Sequence, residues 1–140
     1  MMIVRLLRLI SISFAVVVLT SACKDGVYCA KRLKKPLSAT DIAQMKAAGA
    51  RYKGKHYDTL FQWSDSKMYC SELIWKIYAQ GAGIELCKPD PFSDFPLSAP
   101  SVKKLIKERY GSAFNPDEPI VSPYALYKSN LLDEIRYSEF

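Results

Sequence analysis

At residues 68–80 the chain reads Met68-Tyr-Cys-Ser-Glu-Leu-Ile-Trp-Lys-Ile-Tyr-Ala-Gln80. Apolar side chains recur in this segment at the three- and four-residue spacing of one helix face. The pattern predicts a helix over roughly Tyr69 to Gln80, and Gly81 and Gly83 are expected to stop it. The stripe predicted to face the core consists of Cys70, Leu73, Ile74, Ile77 and Tyr78.

Cys70 falls in the first turn of this predicted helix. The unpaired backbone N–H groups and the positive end of the helix dipole favour a thiolate at such a position. A thiolate is the competent nucleophile for attack on a carbonyl carbon. A free cysteine that simply packs as a small buried side chain is the competing interpretation, and position alone favours it.

Upstream of this segment the sequence predicts one strand and one helix. Residues 26–34 are rich in strand formers. Ser38 and Asp41 resemble a capping box, with Asp where Glu or Gln is commoner, and predict a helix that runs to about Tyr52. Residues 60–63 are apolar enough to be partly buried.

Downstream of it, helices and irregular segments alternate. Prolines make residues 88–100 irregular, and residues 101–110 form an amphipathic helix closed by Gly111. Ser122 followed by proline predicts a short helix, and residues 132–137 alternate as a final strand would. Together with the upstream elements, this order predicts an α+β domain.

Three blocks around Cys70 resemble the central part of the YaeF/YiiX-like family of permuted papain-like amidases, relatives of the NlpC-type cell-wall hydrolases. The blocks are Gly54-Lys-His-Tyr-Asp58, Phe61-Gln-Trp-Ser-Asp65 and Met68 through Tyr78. Shorter similarities follow in the family's order at residues 83–86, 95–98, 105–111 and 118–123, so the resemblance covers roughly residues 27–136. It implies a papain-like fold, a small antiparallel sheet packed on helices, with Cys70 as the nucleophile.

The resemblance also implies a histidine base that this sequence does not supply at the family's position. In the family, that histidine precedes the cysteine, on a strand of an N-terminal segment that we find missing here. The single histidine of the chain, His56, lies where relatives commonly have proline, and we interpret it as a surface residue. We therefore expect an incomplete domain. A truncated or misassigned start, a missing half supplied by another chain, and a degenerate binding module all remain open.

We interpret the other polar residues near Cys70 as structural. Asp58 and Asp65 are each expected to cap a helix or turn. Glu72 lies in the first helical turn, where a carboxylate is stabilised by the dipole, and it is expected to point away from the Cys70 stripe. Tyr69 is expected to pack in the core.

Residues 1–22 are typical of an export signal, because basic residues precede a short apolar run and small residues end it. The run at residues 9–19 is shorter than the about 20 residues that a membrane span needs. Lipidation of Cys23, cleavage after Ala22 and an uncleaved anchor stay open. We expect a bacterial protein exported to the periplasm or cell envelope and associated with the membrane, with its domain over residues 23–140.

Composition and cysteine spacing limit the kinds of ligand that we expect this protein to bind. The net charge is +6, but no basic stripe with interleaved aromatic residues predicts nucleic-acid binding. The cysteines show no metal-ligand spacing, and we expect no metal or cofactor. If Cys23 is lipidated, Cys29–Cys87 is the only disulfide that leaves Cys70 free.

The leading hypothesis is a thiol hydrolase that cleaves an amide or ester in a peptide or acyl-amide substrate. Cys70 would attack, a base from outside this sequence would assist, and backbone N–H groups near the helix start would hold the oxyanion. Without that base the chain would be inactive. The alternatives are a non-catalytic, membrane-tethered binding or accessory protein and a truncated fragment.

Overall fold

The structure, a computed structural model, describes residues 29–135. Its helices are α1 (Ala39–Ala50), α2 (Cys70–Ala82), α3 (Pro100–Tyr110) and α4 (Pro123–Tyr127). Its strands are β1 (Ala30–Leu33), β2 (Asp90–Pro91), β3 (Pro119–Ile120) and β4 (Leu132–Ile135). The predicted export segment, Cys23 and the outer ends of the two predicted terminal strands lie outside the described residues.

Two short antiparallel pairs form the sheet structure. β1 pairs with β4, with Ala30 opposite Ile135 and Leu33 opposite Leu132, so the two ends of the described chain lie side by side. β2 pairs with β3 over two residues each. The predicted α+β class with small antiparallel sheets and helices is confirmed.

Helix α1 begins as the sequence predicts. The Ser38 hydroxyl accepts a hydrogen bond from the Asp41 N–H at 3.0 Å, and the Asp41 carboxylate accepts one from the Ser38 N–H at 2.9 Å. This reciprocal capping satisfies two backbone donors that the helix itself leaves unpaired. One face of α1, carrying Met45 and Ala48, is buried.

Helix α2 ends later than predicted. Gly81 lies inside the helix, and Gly83, at φ 65°, terminates it in the left-handed conformation. An added Cβ at Gly81 would lie 2.4 Å from the Cα of Met45 in α1. The missing side chain at Gly81 therefore permits close helix packing and does not act as a stop signal.

The predicted core-facing stripe of α2 is confirmed in part. Tyr78 is fully buried, Ile74 and Ile77 are partly buried against the core, and Cys70 is exposed. The face that is closed to solvent carries Ser71, Glu72, Lys76 and Tyr78. An apolar pattern could not reveal this face, because an ion pair between Glu72 and Lys76 occupies much of it.

The buried core collects side chains from most of the elements: Met45, Tyr78, Leu86, Val121, Leu126 and Leu132. The predicted α3 and α4 are confirmed, with Gly111 after α3 and the Ser122 hydroxyl accepting a hydrogen bond from the Ala125 N–H at 3.0 Å. None of the helices within residues 29–135 combines the length and the apolar character that a bilayer crossing requires.

Candidate active site

Cys70 is the first residue of α2, and its free thiol is exposed. The first backbone N–H that bonds within the helix belongs to Leu73, which donates to the Tyr69 carbonyl oxygen at 3.0 Å. The earlier N–H groups of the turn are directed towards the same helix end as the thiol. The geometry required for stabilising an anion at Cys70 is therefore present.

The Cys70 thiol opens on a cavity of about 370 Å³. Most of its wall is aromatic or aliphatic, contributed by Tyr57, Phe61, Phe92, Phe95, Ile120 and Val121. These residues come from the connector before α2, the 3₁₀ turn after β2, and β3 with its following residue. Together with the start of α2, which carries the thiol, four chain segments line the cavity.

The connector lies beside the start of α2 because of backbone hydrogen bonds. Met68 N–H donates to the His56 carbonyl oxygen at 3.0 Å, and Asp58 N–H donates to the Met68 carbonyl oxygen at 3.1 Å. This short parallel bridge pairs Tyr57 with Met68. Tyr57 is thereby held next to the residues that lead into Cys70.

The Tyr57 side chain lines the same cavity as the Cys70 thiol. Burial, then the charge of Cys70 and hydrogen bonding to it, raise the pKa of Tyr57 above its ordinary value. The phenol therefore stays protonated at neutral pH and can donate a hydrogen bond. Tyr57 was not predicted as a site residue from the sequence, although it lies in the Gly-Lys-His-Tyr-Asp block.

Asp58 shapes the loop that carries Phe61. Its buried carboxylate accepts hydrogen bonds from the N–H groups of Leu60 and Gln62, both at 2.8 Å. Phe61 has φ 51°, an unfavourable conformation for a bulky residue, and its ring meets Tyr69 edge to face at 5.2 Å. The predicted turn-capping role of Asp58 holds, and it orients one wall of the cavity.

Tyr69 connects the start of α2 to the opposite wall. It is only 1% exposed, and its hydroxyl oxygen accepts a hydrogen bond from the Val121 N–H at 3.1 Å. Burial raises the pKa of Tyr69 well above its ordinary value. Its predicted role in core packing holds, and the added hydrogen bond fixes the distance between Cys70 and the residues after β3.

Beneath the first turn of α2 lies a buried ion network. The Lys76 ammonium is 2.8 Å from a carboxylate oxygen of Glu72 and 2.8 Å from one of Asp65, and it donates to the Ser64 carbonyl oxygen at 2.8 Å. Burial raises the pKa of Glu72, whereas the hydrogen bond from Lys76 lowers the pKa of Asp65. Glu72 lies in the first turn of α2 as predicted, and its side chain is 0% exposed.

His56 is not brought to the nucleophile. Its side chain is exposed, and it does not belong to the cavity wall that Cys70 and Tyr57 share. The surface interpretation of His56 therefore agrees with the structure.

Cys87 is a second free thiol, half-buried, so the Cys29–Cys87 disulfide that the cysteine count allowed is not formed. Burial, with a smaller contribution from Asp90, raises the pKa of Cys87 to about 11. Within residues 29–135 no three His, Cys, Asp or Glu side chains cluster closely enough to hold a metal ion.

Comparison with known proteins identifies relatives of this chain. A family model described as permuted papain-like amidase enzyme, YaeF/YiiX, C92 family, matches residues 16–135. The uncharacterized protein YiiX of Escherichia coli K12 is 36% identical over 112 residues, which are 80% of this chain and 55% of that protein. The chain thus spans about half the length of this curated relative.

A solved structure gives the same result for the fold. The crystal structure of metalloprotein yiiX from Escherichia coli O157:H7 matches with a TM-score of 0.73 and 34% sequence identity. The match covers 81% of this chain and 63% of that one. The predicted papain-like architecture is therefore confirmed.

Proposed function

The chain belongs to the YaeF/YiiX family of permuted papain-like amidases, and on this basis we propose that it is a thiol hydrolase with Cys70 as its nucleophile. One observation carries the proposal: a free, exposed thiol at the start of a 13-residue helix opens directly on an apolar cavity. Family membership suggests a cysteine hydrolase. The residue and the substrate are our inference.

The proposed reaction is acyl transfer to sulfur. The Cys70 thiol loses its proton, and the thiolate attacks the carbonyl carbon, so that an S–C bond forms and the carbonyl π pair moves to oxygen. When that pair returns, the bond to nitrogen or oxygen breaks and the leaving group takes a proton. Water then cleaves the thioester, giving the acid and the thiol.

The cavity favours an apolar acyl group over a polar peptide. Aromatic and aliphatic side chains form most of its wall, and a peptide's amide groups would lose their hydrogen bonds to water against such a surface. Each buried methylene contributes about 0.8 kcal/mol, which corresponds to roughly a fourfold gain in binding. We therefore propose acyl amides or esters with a hydrocarbon chain as the substrate class.

The proton-accepting group is proposed to come from outside the described residues, since no histidine lines the cavity within residues 29–135. A second chain that supplies it, as the sequence analysis considered, fits this proposal. Export and membrane association remain a prediction from residues 1–23, and an acyl substrate would be available at a membrane.

Activated esters test the proposal, because a p-nitrophenolate leaving group departs without a proton donor. The chain is mixed with p-nitrophenyl esters of increasing acyl length, and the acylated residue is identified by mass spectrometry. We expect acylation at Cys70, with a rate that rises up to about fourfold per methylene until the cavity is filled. Cys70→Ser should abolish the reaction.

Cys87→Ser is the matched control and should react as the wild type does, because burial raises the pKa of Cys87 to about 11 and keeps its thiol protonated at neutral pH. If Cys70 is acylated no faster than Cys87, the hydrolase proposal fails. A non-catalytic binding or accessory protein would then be the better description.

A further inference from the structure

We propose that Tyr57 is a catalytic residue that donates a hydrogen bond to the carbonyl oxygen of the substrate as that oxygen becomes negatively charged. This inference rests on the proposed function of Cys70. It names a side-chain donor where the sequence analysis expected backbone N–H groups alone.

The position of Tyr57 supports this role. The bridge between Tyr57 and Met68 places the tyrosine next to the start of α2, and its side chain lines the same cavity as the Cys70 thiol. Tyr57 is 56% exposed, so its phenol can reach a bound substrate. A donor beside the attacking sulfur is also near the carbonyl carbon that the sulfur attacks.

The chemistry of the phenol fits the movement of charge during acyl transfer. Before attack the negative charge is on sulfur, where the neighbouring phenol can donate to it. After attack the sulfur is neutral and the charge is on oxygen, so the same O–H can donate there instead. The raised pKa of Tyr57 keeps this proton in place at neutral pH.

The neighbouring tyrosine of the cavity wall is not suited to this task. The Tyr69 hydroxyl already accepts a hydrogen bond from the Val121 N–H at 3.1 Å, and the residue is 1% exposed. Moving it to a substrate would break a buried contact. Among the contacts of the described residues, the Tyr57 side chain makes no comparable buried hydrogen bond.

Two reactions of Cys70 show whether Tyr57 donates its hydrogen bond to the substrate oxygen or to the Cys70 sulfur. Acylation by a p-nitrophenyl ester passes through an oxyanion, whereas alkylation by iodoacetamide occurs at a saturated carbon and does not. We expect Tyr57→Phe to slow acylation about 100-fold, the usual effect of losing one oxyanion donor. Alkylation of Cys70 should change less than about threefold, since the thiol itself is intact.

Tyr124→Phe is the control, because Tyr124 is similarly exposed at 64% and is not part of the cavity wall; both of its rates should equal those of the wild type. The urea midpoint of each variant verifies folding. Equal losses in acylation and alkylation, or no loss in either, would overturn the role of Tyr57. A wild-type protein that is not acylated at Cys70 would instead refute the proposed function.

Discussion

The Lys76 ammonium pairs with two carboxylates that differ in their exposure to solvent. The Glu72 side chain is 0% exposed, whereas that of Asp65 is 69% exposed. Glu72 also accepts a hydrogen bond from the N–H of Tyr69, the residue before Cys70, at 3.4 Å. The ammonium thus neutralises a buried charge below the first turn of α2 and connects that turn to the loop that carries Asp65.

Replacing Lys76 should destabilise the folded protein at neutral pH. Lys76→Met keeps most of the side-chain volume but leaves the buried Glu72 carboxylate without its partner. We expect a loss of about 3 kcal/mol in the free energy of unfolding at pH 7, measured by urea denaturation. The double variant Glu72→Gln/Lys76→Met, which removes both charges, should recover most of that loss.

The loss of stability in Lys76→Met should depend on pH in a defined direction. Burial raises the pKa of Glu72 in the folded protein, and without Lys76 the long hydrogen bond from the Tyr69 N–H would be left to oppose that effect. A carboxyl with a raised folded-state pKa stabilises the protein below its unfolded pKa and loses that stabilisation as pH rises. The deficit of Lys76→Met should therefore shrink from pH 7 to pH 5, and an unchanged deficit would refute buried charge as its cause.

Two glycines at the packing of α1 against α2 differ in what surrounds them. At Gly81 an added Cβ would meet the Met45 backbone, 2.4 Å from its Cα and 2.7 Å from its nitrogen. At Gly49 the nearest atom is the Cδ1 of Ile77, at 3.2 Å. The first contact is with rigid backbone and the second with the end of a flexible side chain.

Substitution by alanine should therefore separate the two positions. Gly81→Ala forces the helices apart and should cost about 2–3 kcal/mol in urea denaturation. Gly49→Ala needs only a small shift of Ile77 and gains helix propensity, so we expect a change within about 1 kcal/mol. Equal effects at both positions would mean that close helix contact at Gly81 is not what the fold requires.

The same helices show which element features could be predicted from sequence. The start of α1 is encoded locally, because Ser38 and Asp41 pair with each other's backbone. At α2, Gly83 ends the helix as the sequence predicted. The role of Gly81 could not be predicted locally, because its missing side chain permits contact with Met45 on another helix. Likewise, the apolar spacing predicted the helix itself but could not predict that Glu72 and Lys76 would occupy its most buried face.

For the whole molecule, the position of Cys70 was predictable and its surroundings were not. Cys70 at a helix start follows from residues adjacent in sequence. The cavity depends on contacts between distant segments, such as the hydrogen bond from Val121 N–H to Tyr69 and the edge-to-face packing of Phe61 on Tyr69. Tyr57 was missed because a two-residue parallel bridge has no sequence signature.

Contacts of β1 hold the two ends of the described chain together. β1 lies against β4, and the buried Lys31 extends from β1 to the end of α4. Its ammonium donates to the Tyr127 carbonyl oxygen and lies 4.1 Å from the centre of the Tyr127 ring. Lys34, just after β1, instead makes an exposed ion pair with Asp133 at 3.8 Å.

Replacing each lysine by methionine tests the two contacts with the same chemical change. Lys31→Met removes a buried hydrogen bond from a charged donor and should lower the free energy of unfolding by about 1.5–3 kcal/mol. Lys34→Met should cost less than about 1 kcal/mol, because water screens the exposed pair. Urea denaturation measures both, and hydrogen exchange should locate the added opening of Lys31→Met in β1 and β4. If Lys34→Met proves the more damaging variant, surface charge rather than the buried Lys31 contact holds the chain ends together.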